Sequence, residues 1–142
     1  MATFTASAAA STVQPKTSGL SGNLKSVLGT YEITAALALN DVIQMVRVPA
    51  NATIVGVSLG TDDLDTNGSP AIVLDVGDGS DTDRLIDGAT VGQAGGFTST
   101  MVMTGFGYQY TAEDTIDVLV QVAPATGATS GTITLRVDYI LP

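Results

Sequence analysis

The sequence predicts an all-β protein: an antiparallel β-sandwich, jelly-roll-like, with an extended N-terminal arm. Three observations carry this. From Thr30 onward, apolar and polar residues alternate at period two in run after run, so each run presents one dry and one wet face. Clusters of Asn, Asp, Gly, Ser and Pro separate the runs, and these are the residues that tolerate tight turns. No stretch keeps helical periodicity over ten residues. A chain of 142 residues fits one domain with a core of its own.

The strands follow in order. Tyr31 to Leu39 is the weakest run. Asp41 to Val48 turns Val42, Gln44, Val46 and Val48 to one side, or Ile43 and Met45 if both faces are covered. Ala52 to Leu59 turns Val55, Val57 and Leu59 inward. Ala71 to Val76 turns in Ile72, Leu74 and Val76. Gly96 to Thr111 supplies one or two further strands, with Gly105 and Gly107 at a bend or bulge. Thr115 to Val122 buries Ile116, Val118, Val120 and Val122 and leaves Asp117 and Gln121 outward. Gly131 to Ile140 is the clearest run, with Ile133, Leu135, Val137 and Tyr139 on one face. Turns are expected at Leu39–Asp41, Pro49–Asn51, Asn67–Pro70, Gly77–Ser80 and Ala125–Gly127. A single helical turn at most fits Thr111–Thr115.

Charge divides the chain. Residues 1–30 contain no acid and carry Lys16 and Lys25, a charge of +2, while the other 112 hold three Arg and all 14 acids, a charge of −11. Fifteen of those first 30 residues are Ala, Ser or Thr, interrupted by spaced apolar residues. Residues 1–29 are therefore read as an arm that orders against a partner, and 30–142 as the body. Within the arm, Phe4, Val13, Lys16, Leu20, Leu24 and Lys25 are the candidate docking residues, for apolar pockets and an acidic surface. The N-terminus has neither a basic start nor an apolar stretch of the kind that marks a secretory signal. No apolar run is long enough to suggest a membrane-spanning helix.

Composition removes much chemistry. The chain has no Cys and no His, hence no thiolate nucleophile and no imidazole base or ligand. A net charge of −9 disfavours nucleic acid and anionic lipid as partners. No cofactor motif is present. Gly92–Gly96 lacks the Lys that a phosphate loop requires. The expectation is a protein that is not an enzyme.

Eight of the 14 acids fall between Asp62 and Asp87. There, Asp63, Asp65 and Asn67 followed by Gly68 match the first half of a calcium loop, although position twelve is Leu74 instead of the required Glu. A polar hairpin with Asn67–Gly68 as its turn explains the same residues. Gly77–Asp83 offers a second weak calcium pattern in a single copy, with Arg84 near enough to pair with Asp81 or Asp87. Phe106, Tyr108 and Tyr110 share a face at period two. They fit either core packing or a subunit interface.

Four phrases of the body carry a family resemblance: Asp41-Val-Ile-Gln-Met-Val-Arg-Val-Pro49, Thr61-Asp-Asp-Leu-Asp65, Leu74-Asp-Val-Gly-Asp-Gly-Ser-Asp-Thr-Asp-Arg84 and Tyr110-Thr-Ala-Glu-Asp-Thr-Ile-Asp-Val118. In these the chain resembles the head decoration, or cement, proteins of tailed bacteriophages. The resemblance implies a β-sandwich knob on the outer surface of an icosahedral capsid, often a homotrimer or homodimer. Its partner would be the major capsid protein. It implies assembly in the host cytoplasm and no catalytic residues. Another virion part, such as a tail, spike or baseplate subunit, is the alternative, and a calcium-dependent carbohydrate-binding module is a more distant one.

Overall fold

A computed structural model of the chain describes residues 1–13 and 23–142. Among the described residues nine strands form two sheets. They are β1 (Thr3–Thr5), β2 (Leu24–Ile33), β3 (Val42–Val48), β4 (Thr53–Thr61), β5 (Val73–Gly77), β6 (Ile86–Ala89), β7 (Gly96–Thr98), β8 (Asp114–Val122) and β9 (Gly131–Ile140). One sheet runs β1-β3-β8-β5-β6 and the other β2-β9-β4-β7. The antiparallel pairs β2–β9, β3–β8, β4–β7 and β5–β6 show the logic of the chain. Its first half pairs with its second half in reverse order, as one long hairpin rolled into two layers. The only parallel pair among the described residues is β1–β3.

The core lies between the sheets. Ile133, Leu135, Val137 and Tyr139 of β9 are fully buried, as are Ile72, Leu74 and Val76. These match the alternation in the sequence. Three departures have one cause, a register shift. In β3 a bulge between Gln44 and Val46 lets Ile43 and Met45 face inward before it and Val46 and Val48 after it. In β4 a bulge between Ile54 and Gly56 puts Ile54 inside in place of the expected Val55. In β8 the register against β5 shifts between Val73 and Leu74, so the inward row ends at Val120 and Val122, opposite Val73, is exposed. Asp117, expected outward in water, is buried.

Turn chemistry follows the sequence more closely. Asn40 and Asn51 both adopt left-handed backbone, with φ of 65° and 67°. No helical turn forms at Thr111–Thr115, and Gly96–Thr111 supplies one strand, the short β7, followed by an irregular connection.

The N-terminal region differs from a free arm. Residues 24–29, expected in the arm, form the first half of β2 and pair with Tyr139–Leu135 and their neighbours on β9. Residues 3–5 lie along β3, and the Ala6 N–H donates to the Gln44 carbonyl at 2.6 Å. Ala6 and Ala9 are buried. A 3-10 turn, Ser7–Ala9, then packs against both β3 and β2. This segment closes the side of the sandwich where β1 and β2 would otherwise leave the core open. Gly29 of one sheet faces Met45 of the other: a Cβ there would lie 2.2 Å from the Met45 carbonyl oxygen, so the position has no room for one.

Candidate interaction surfaces

The acidic stretch is used to build turns. Asp65 is 1% exposed, and its carboxylate accepts backbone N–H bonds from Ala71 (2.7 Å), Ile72 (3.2 Å), Ala125 (2.8 Å), Thr126 (2.8 Å) and Asn67 (3.3 Å). Burial alone would raise its pKa. The N–H donors of Ala71, Thr126, Ala125 and Ile72 outweigh that and hold the carboxyl well below the usual range. Asp63 accepts from the Asp65 N–H, and Asn67 accepts from the Ser69 N–H and donates to Thr126 Oγ1. The calcium candidates Asp63, Asp65 and Asn67 are therefore turn-forming groups whose oxygens are engaged by backbone. Among the described residues no three acidic side chains converge on a metal-sized site.

The second acidic run builds a buried ion pair. Asp78 accepts from Ser80 N–H and Oγ–H, from Asp81 N–H, from Arg84 Nε at 2.5 Å and from Tyr110 OH at 2.8 Å. Burial pushes against ionisation, but Arg84, Ser80 and Tyr110 bring the Asp78 carboxyl down to about 2. Arg84 also faces Asp81 at 3.6 Å and lies 3.9 Å over the Tyr108 ring. Tyr108 and Tyr110 meet edge-to-face with centroids 5.0 Å apart. Of the expected aromatic face, Tyr110 is thus buried and Tyr108 half-buried within the protein's own fold. Only Phe106, 63% exposed, stands free.

The arm candidates separate in the same way. Phe4 is half-buried and packs against Tyr31, with ring centroids 5.8 Å apart, so its ring serves the protein's own core. Val13 and Leu24 are exposed, Lys25 is half-buried on β2, and Lys16 and Leu20 lie outside the described residues. An apolar surface that includes the docking candidate Leu24 lies on the outer face of the four-stranded sheet. Leu28, 61% exposed, stands two positions along the same face from Ser26 and four from Leu24. The register Thr30–Thr134–Gly60–Phe97 crosses that face to exposed Phe97 on the far edge. Gly56 and Gly60 leave the middle of the face low, and Arg136 there is held by Ser58 and Asp138. The clue was in the sequence: Leu24 and Leu28 are in phase with the polar residues Ser26 and Thr30.

The protein is an all-β sandwich with buried carboxylates engaged in turns and with Leu24, Leu28 and Phe97 exposed on the outer face of one sheet. No protein-family model and no curated protein matches the chain. Solved structures do. A chain in the capsid of Ralstonia phage GP4 shares 30% identity and a TM-score of 0.85, covering 99% of this chain and 98% of that one. A chain in the capsid asymmetric unit of cyanophage Pam1 shares 33% identity and a TM-score of 0.78, covering 92% and 93%. This chain belongs to the same family of bacteriophage capsid chains. A chain in the acid-stable capsid of Helicobacter pylori bacteriophage KHP30, at 20% identity, TM-score 0.50 and coverage of 82% and 88%, shares the fold.

Proposed function

We propose that this protein is a capsid decoration, or cement, protein that binds the outer surface of an icosahedral phage head and bridges neighbouring major capsid subunits. What carries the reading is the pairing of a self-closed sandwich with an uncovered apolar face. The core is complete within one chain, because the N-terminal segment covers one open side. Such a domain adds to a shell by surface contact. Leu24 and Leu28, on the edge strand β2, are the side chains this contact would bury, together with Val13 and the basic residues Lys16 and Lys25. The exposed acids Glu32, Asp62, Asp63, Asp83, Asp87 and Glu113 face solvent and keep neighbouring copies apart. Phe106 is the side chain for self-association into a closed trimer or dimer. The protein is then a structural part of the virion, loaded in the host cytoplasm, and catalyses nothing.

The test is to mix the purified chain with heads lacking it and count bound copies. Symmetric occupancy predicts between about one-third and one copy per major capsid subunit. The double variant Leu24→Ser/Leu28→Ser should stay folded and lose most of this binding. A few copies per particle would place the protein in the tail or at a vertex. No binding by the wild type would overturn the reading.

A further inference from the structure

The outer face of the five-stranded sheet holds a cleft of about 330 Å³, lined in part by Val42 and Leu119 and by Asp78 and Asp117. Gly77, Gly79 and Thr82 of the β5–β6 connection line the same cleft, as does Met1, which is 94% exposed. Asp117 is 9% exposed, and its Oδ1 is buried without a hydrogen-bond partner. An ionised carboxylate withdrawn from water and left unpaired is costly. Its neighbour Asp78 has its oxygens filled by Ser80, Asp81, Arg84 and Tyr110. Asp78 therefore adds negative field to the cleft and leaves the unmet acceptor to Asp117.

The protein's own described arginines do not supply the missing charge. Arg47 pairs with Glu113, Arg84 with Asp78 and Asp81, and Arg136 with Asp138. A divalent cation needs six or more oxygens, and no third carboxylate among the described residues joins these two. A guanidinium binds best to both oxygens of a carboxylate, whereas here Thr115 already bonds the carboxyl and Oδ1 alone, itself buried, lacks a partner. A compact ammonium on an alkyl stem matches both the single acceptor and the apolar walls.

We propose that this cleft receives the ammonium of a lysine side chain from a neighbouring polypeptide, its nitrogen at Asp117 Oδ1 and its methylenes against Val42 and Leu119. The site stands on the geometry of the isolated chain and is independent of the decoration reading. The probe is n-butylammonium chloride, titrated into the full chain at pH 7.5 and followed by the Asp117 carboxyl carbon and the backbone amides of Gly77, Gly79 and Leu119. A saturable shift confined to these signals is expected, absent with n-butanol and weakened at least tenfold in Asp117→Asn. Leu119→Lys, whose own ammonium would occupy the cleft, should abolish the shift as well. Absence of a saturable shift, an undiminished shift in Asp117→Asn, or a response to calcium chloride in place of butylammonium would each overturn the proposal.

Discussion

Replacing Asp117 by Asn should make the protein more stable at neutral pH. Burial pushes this carboxyl from its ordinary 3.8 up to about 6, with Thr115 opposing and the charges of Asp114 and Asp78 adding. The folded protein thus holds the proton more tightly than the unfolded chain does. The associated stability is fully present below pH 3.8 and is lost as pH rises through about 6. A shift of about two units corresponds to a ceiling of about 3 kcal/mol at 1.36 kcal/mol per unit. The cleft is open to solvent on one side, and screening reduces this to about 1–2 kcal/mol. Asn cannot ionise, so at pH 7.5 the variant should exceed the wild type by that amount, about 3–8 °C in Tm. At pH 3.5 the two should agree. Asp75, also raised by burial despite the Gly88 N–H it accepts, titrates in both proteins and cancels in the difference. Urea unfolding at half-unit steps from pH 3.5 to 8 measures it. Parallel curves, with no change in the difference between pH 4 and 7, would refute the reasoning. A buried carboxylate that costs stability and keeps one oxygen without a donor in the chain is what a binding group looks like before its partner arrives.

Other outcomes follow from the packing. Gly29→Ala should cost about 1–3 kcal/mol in urea unfolding, because the new methyl meets the backbone carbonyl of Met45 and not a side chain that could turn away; a change below about 0.5 kcal/mol would show that the sheets are not in contact there. Tyr110→Phe should cost about 1–2 kcal/mol at pH 7 through the lost hydrogen bond to Asp78, with the Arg84 ion pair retained. Asp65→Ala should leave the N–H groups of Ala71, Ile72, Ala125 and Thr126 without their acceptor, seen as faster hydrogen exchange at those amides while β9 remains protected. Leu135→Ala, in the middle of the core, should lose about 2–5 kcal/mol.

The sequence by itself determined the layers. Period-two alternation in β5 and β9 depends only on the geometry of an extended chain, so Ile72, Leu74, Val76 and Ile133 to Tyr139 were legible as core without knowing their neighbours. The turns at Asn40 and Asn51 were legible for the same local reason, since few residues accept their backbone angles. The tertiary structure decided what depends on partners distant in the chain. Bulges in β3 and β4 exchanged inward for outward positions, because a single unpaired residue reverses every side chain beyond it. Residues 24–29 lie in β2 because β9, more than a hundred residues away, offers a partner edge from Ile140 onward. In a line of sequence Asp65 and Asn67 fitted either half a calcium loop or a polar turn, and in the fold the loop around Ala125 lies against them and donates to Asp65. Asp117 read as solvent-facing because alternation reports the face and not what covers it. Only the folded chain brings Gly79 and Thr82 beside that carboxylate and leaves one of its oxygens waiting for a donor.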